Sequence, residues 1–92
     1  MSKTMLLGGA FYWKTLHDPA LIAAVEGWLT APHLLDCAQR EMLRTYFIKY
    51  AELFLPDGCR DEFDDVKYNT GNSGADIARL LDWLLKCGID PI

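Results

Sequence analysis

A chain of 92 residues, half of them hydrophobic and with a formal net charge of −4, has room for one domain and enough apolar material to build a core, which excludes a disordered segment. A domain this short buries roughly 60–65% of the surface its unfolded chain exposes. The nine basic residues are scattered without a run, which argues against direct nucleic-acid binding, because phosphate recognition needs clustered Lys and Arg.

Residues 1–17 follow no clear period. Gly8-Gly9 interrupts either kind of element, and the aromatic run Phe11-Tyr12-Trp13 suggests a short extended piece over 10–13. Side chains alternate faces in a strand, so one face of that piece would close the core and the other would stay open to a partner.

The first long helix is predicted to begin at Asp18-Pro19, where the carboxylate caps free amides and proline occupies the first helical position. Leu21, Ile22, Val25, Trp28 and Leu29 form its apolar stripe, Gly27 falls on the exposed side, and Thr30-Ala31-Pro32 ends it. The second and longest helix is capped at Asp36, with Gln39 three residues on in a capping box, and Leu34 and Leu35 are placed to staple onto it. Its stripe is Met42, Leu43, Tyr46, Phe47, Tyr50, Leu53 and Phe54, broad enough for a central helix. Arg40, Glu41, Arg44, Lys49 and Glu52 fill much of the remainder, and Ile48 falls beside Arg44, off the stripe.

Pro56-Asp57-Gly58 reads as a turn, and Phe63 and Val66 support a short helix at about 60–67. Asn69-Thr70-Gly71-Asn72 is a loop, expected to be the most mobile internal stretch. The last helix opens at Ser73, whose hydroxyl stands three residues before Asp76, and buries Ile77, Leu80, Leu81 and Leu84. Gly88 suits a left-handed cap, and Pro91 prevents continuation. The expected fold is all-α: a compact bundle of three main helices plus one short helix, in a single domain over 1–92, with an irregular or short extended aromatic N-terminal segment.

Cys37, Cys59 and Cys87 are odd in number and widely spaced, unlike a secreted disulfide scaffold, and are read as reduced thiols. The N-terminus lacks a signal-peptide pattern, and no run is long enough to span a bilayer. The reading is therefore a cytoplasmic protein.

A search for chemistry finds no constellation. Among His17, His33, Cys37, Cys59 and Cys87 only His33 and Cys37 are close in sequence, and no paired ligand spacing makes a metal site. In the acidic stretch 57–65, Gly58, Arg60 and Phe63 break the oxygen-ligand pattern that a calcium loop needs. No nucleophile–base motif and no glycine-rich phosphate loop is present, so no enzyme, catalytic residue, metal or cofactor is expected. The rival reading, an enzyme or ligand-binding protein with an unfamiliar site, would need a pocket lined by Tyr46, Tyr50, Cys37 or His33.

Two segments remain for function. Phe11, Tyr12 and Trp13 either close the core or feed an interface. Asp57, Asp61, Glu62, Asp64 and Asp65 are answered locally only by Arg60, so the stretch 57–65 has a net charge equal to that of the whole chain. They are either a solvated face or a surface that steers a basic partner. The leading expectation is a small non-enzymatic protein-interaction module of adaptor, accessory, immunity or inhibitor type. It would bind a protein partner with a basic surface, without nucleic acid or membrane, and homo-oligomer formation stays open. A sharper variant is a phage-type inhibitor whose acidic segment imitates nucleic-acid phosphates.

Overall fold

The structure, a computed structural model, describes residues 12–92, and all regular elements among them are helical. In chain order these are α1 (Tyr12–Thr15), α2 (Pro19–Thr30), α3 (Cys37–Phe54), α4 (Arg60–Asn69) and α5 (Gly74–Lys86). Two 3₁₀ turns, Pro32–Leu34 and Asp57–Cys59, lie before α3 and α4. Among the described residues no helix is long and apolar enough to cross a membrane. The all-helical fold is as expected, with one further short element at its start.

The helix starts follow from local hydrogen bonding. Asp18 Oδ1 accepts from the amides of Ala20 and Leu21 at 3.0 and 3.3 Å, satisfying donors that a first turn otherwise leaves open. At α3 the capping box is complete: Gln39 N donates to Asp36 Oδ1 at 2.8 Å, and Asp36 N donates to Gln39 Oε1 at 3.2 Å. Ser73 Oγ accepts from Asp76 N at 3.1 Å. The Asp76 carboxylate turns instead to the amide of Gly71 and to Arg79. The end of α5 is a Schellman motif. Gly88 has φ 89°, Ile89 N donates to Leu84 O and Gly88 N to Leu85 O, and glycine takes that left-handed torsion without a Cβ clash.

α3 is the hub and packs against both α2 and α5. The core joins Leu21, Ala24 and Val25 of α2 with Leu43, Tyr46, Phe47, Tyr50 and Ala51 of α3. Phe63 of α4, Ile77, Leu80 and Leu84 of α5, and Trp13 of α1 complete it. α2 is rotated from the expected stripe. Its buried face centres on Leu21, Ala24 and Val25, leaving Leu29 exposed. The same shift on α3 buries Ala51, exposes Leu53 and packs Ile48 against the core. The buried arc of this central helix therefore extends around the flank of Arg40 and Arg44.

Those two arginines are not solvent-facing filler. Arg44 Nε donates to Thr70 O at 2.8 Å and an Arg44 terminal nitrogen to Lys67 O at 3.0 Å, near the end of α4. Arg40 donates to Asn72 O at 2.8 Å and to Leu35 O at 2.6 Å. A guanidinium offers a rigid fork of five donors and suits the open carbonyls at a helix end. Through it the loop between α4 and α5 is pinned, and Thr70 is buried.

Gly27 also departs from expectation. A Cβ at Gly27 would lie 2.7 Å from Leu35 Cδ2. The glycine is thus a seat for the buried Leu35 side chain rather than an exposed weak point. Leu35 takes the inward place before α3, while Leu34 is 74% exposed.

Candidate interaction surface

Tyr12 and Trp13 turn inward. Phe11 lies outside the described residues. Residues 12–13, expected to be extended, start the helical turn α1 instead. Its short pitch lets Tyr12 and Trp13 both reach the bundle. Trp13 is only 2% exposed, and its indole Nε1 donates to Ile92 O at 3.4 Å. Tyr12 is half-buried in an aromatic cluster with Tyr50 and Phe54, ring centroids 5.5 and 5.4 Å away in edge contacts, and with Tyr46 at 6.5 Å. Edge-to-face rings of this kind gain about 0.5–1.5 kcal/mol beyond area burial. Trp13 thus belongs to the core, and Tyr12 packs against it.

Burial governs the hydroxyls beneath this cluster. Tyr46 Oη donates to Pro91 O at 2.6 Å, and its pKa rises well above the ordinary tyrosine range, first from burial and then from the charges of Tyr50, Tyr12 and Asp90. Tyr50 is pushed up to about 12, chiefly by burial, with Asp90 and Tyr12 adding. Both phenols stay protonated at neutral pH and serve structure.

The ligand-pocket residues do not assemble. Tyr50 is sealed in the core, whereas Cys37 is exposed at the first position of α3 and His33 is exposed in the turn before it. An open groove of about 500 Å³ between α2 and α3 includes Tyr46, Leu16, Leu21, Met42, Glu41 and Lys49, without Tyr50, Cys37 or His33. Among the described residues no three of His, Cys, Asp and Glu gather as metal ligands would.

The acidic segment turns outward. Asp57 lies in the 3₁₀ turn, and Asp61, Glu62, Asp64 and Asp65 lie on α4; all five are exposed. At 100° per residue, Phe63 and Val66 face the core, while Asp61, Asp64 and Asp65 share the opposite arc. The five acids are not equivalent. Glu62 Oε1 accepts from Trp83 Nε1 at 3.1 Å, beside the parallel stack of Phe63 on Trp83 with centroids 6.1 Å apart, and so ties α4 to α5. Asp57 is 3.6 Å from Arg60. Lys67 lies 3.9 Å from both Asp64 and Glu52. Asp61 and Asp65 have no salt-bridge partner among the described residues. Asp61 and Glu62 occupy the first turn of α4, where the helix dipole favours negative charge. Asp64 and Asp65 lie beyond that turn, so the dipole does not account for them.

One residue on this face was not singled out from the sequence. Tyr68 is 89% exposed. It stands four residues after Asp64 and seven after Asp61, inside the acidic arc. The signal was present in the spacing. It was missed because the helix was ended at about 67, whereas α4 runs to Asn69.

Compared with protein-family models, curated proteins and solved structures, the chain has no significant match.

Proposed function

We propose that this chain is a non-catalytic protein-interaction module whose docking face is the outward side of α4, and that its partner is a protein with a basic surface. The observation that carries the reading is Tyr68, a nearly fully exposed aromatic set among Asp61, Asp64 and Asp65. Tyrosine supplies a large, rigid, amphipathic contact at low entropic cost and is enriched where binding energy concentrates. The surrounding carboxylates give long-range steering toward positive charge and discriminate against acidic surfaces. Asp57 extends the negative field from the preceding turn, while Glu62, held by Trp83, orients the helix.

The test is affinity capture from cell lysate with the wild-type chain, followed by measured binding of the recovered partner. Tyr68→Ala is expected to lower affinity at least about tenfold, an anchor's worth of binding energy. Asp61→Lys combined with Asp64→Lys and Asp65→Lys is expected to slow association and flatten its salt dependence. All four side chains point to solvent, so circular dichroism of these variants should match wild type. A partner that binds both variants as tightly as wild type overturns the proposal.

A further inference from the structure

α4 and α5 leave a crevice of about 280 Å³ between them, lined by Asp65, Val66 and Asn69 of α4, by Thr70 of the loop, and by Arg79 and Trp83 of α5. Folding does not use up its polar groups. Asp65 is exposed and has no salt-bridge partner among the described residues. Asn69 Nδ2 donates to Asp65 O at 2.8 Å, so the side-chain oxygen of Asn69 remains an acceptor. Thr70 is only 6% exposed. Arg44 takes its carbonyl, but its hydroxyl has no hydrogen-bond partner among the described residues. A hydroxyl buried alone is costly, and nearly all such groups in folded proteins find a partner.

The charges select the ligand. The Arg79 guanidinium is answered by the Asp76 carboxylate, so the negative charge of Asp65 is left over. The half-buried Trp83 indole, stacked in parallel with Phe63, supplies an aromatic wall, and Val66 an apolar one. A spare carboxylate, two acceptor oxygens and an indole together suit a flat cation with several N–H donors. A guanidinium is such a cation: it lies against an aromatic face while its fork of donors reaches a carboxylate and neutral oxygens at once. An ammonium is a compact, strongly hydrated point charge and cannot do both. We propose that the α4–α5 crevice receives an arginine side chain of the protein partner, with the guanidinium against Trp83 and bonded to Asp65. This rests on the docking reading for the source of the arginine, since Asp65 belongs to both surfaces, but the chemistry of the crevice does not need Tyr68.

The experiment titrates N-acetyl-arginine amide into the isotope-labelled full chain at low salt and follows amide and indole signals by NMR. The Trp83 indole N–H and the Asn69 side-chain amide are expected to shift along one saturating curve. Asp65→Asn is expected to weaken binding at least about threefold, the worth of an ion pair near the surface. Glu26→Gln, which removes one negative charge from the exposed side of α2, is expected to bind as wild type does. N-acetyl-citrulline amide, the neutral isostere, is expected to leave both signals in place. The probe needs no partner, so its result is separate from the effect of Tyr68→Ala on a captured partner: a crevice blind to arginine overturns this proposal and leaves the role of Tyr68 standing. Equal shifts with the citrulline amide, an Asp65→Asn protein that binds the arginine amide as tightly as wild type, or shifts that avoid Trp83 and Asn69 would each overturn it as well.

Discussion

Replacing Tyr46 by Phe isolates one hydroxyl at the base of the molecule. The phenol donates to the Pro91 carbonyl at 2.6 Å in a buried setting, and Pro91 is itself buried. Phenylalanine keeps the ring and so retains the packing on Tyr12, Phe47 and Tyr50, whose centroids lie 6.5, 5.8 and 6.1 Å away. What disappears is the donor. A net hydrogen bond contributes about 1 kcal/mol, and an acceptor left buried without a partner raises the loss to about 1–3 kcal/mol. In a domain of this size each kcal/mol lowers the melting temperature by about 4–8 °C. The variant is therefore expected to melt roughly 5–20 °C below wild type, with its midpoint in urea lowered and the slope unchanged. If the C-terminal turn detaches to hydrate the Pro91 carbonyl, the loss falls at the low end of that range, and the Ile92 amide, bonded to Asp90 at 3.0 Å, exchanges faster. Tyr68→Phe is the control: its side chain is exposed, and surface changes of this kind stay within about 0.5 kcal/mol. A Tyr46→Phe protein as stable as wild type, with unchanged exchange at 88–92, would refute the reasoning.

Two further outcomes follow from the same core. Tyr50 holds its proton up to about 12 against 10.0 in the unfolded chain, and Tyr46 shifts in the same direction; the unfolded chain thus sheds these protons first. Their contribution to stability is intact below about pH 10 and is lost as pH rises from there through the folded values, at up to about 1.4 kcal/mol per pH unit for each tyrosine. A urea midpoint that stays flat between about pH 9 and 11.5 would contradict the shifts. Gly27→Ala should fail to deliver the roughly 1 kcal/mol that helix propensity promises, because the new methyl would meet Leu35 Cδ2 at 2.7 Å and overpacking costs about 1–3 kcal/mol. A melting point raised by several degrees would show that Leu35 moves aside freely.

The helix limits were legible because they are local. Asp18-Pro19, Asp36 with Gln39, Ser73 and Gly88 each act within a few residues of themselves, and each performs the expected capping role. The rotation of a helix is not local. Leu29 and Leu53 satisfy a helical stripe as well as Ala24 and Ala51 do, yet the leucines are exposed and the alanines buried; which arc turns inward is set by the neighbouring elements and not by the period. Arg40 and Arg44 were equally opaque. Their partners are carbonyls more than twenty residues away for Thr70, Lys67 and Asn72, and sequence period only marks them as polar. On the candidate site, the acidic arc was visible from composition, but the inward turn of Tyr12 and Trp13 depends on tertiary packing.

The aromatic inventory gives the interaction reading its weight. Trp13, Tyr46, Phe47, Tyr50 and Phe63 are core residues, and Tyr12, Trp28, Phe54 and Trp83 pack against them. Among the described aromatics this leaves Tyr68 as the one that contributes nothing to the core, and it is also the most exposed of the large hydrophobic residues. A solvated acidic helix needs no aromatic on its outer face, since charge alone keeps such a face soluble. Folding does not explain a tyrosine there: α4 is already anchored by Phe63 on Trp83 and by Glu62 on the same indole. On the proposed reading, the side chain that folding leaves unused and Asp61 and Asp65, without a salt-bridge partner among the described residues, are what α4 would offer to a second molecule.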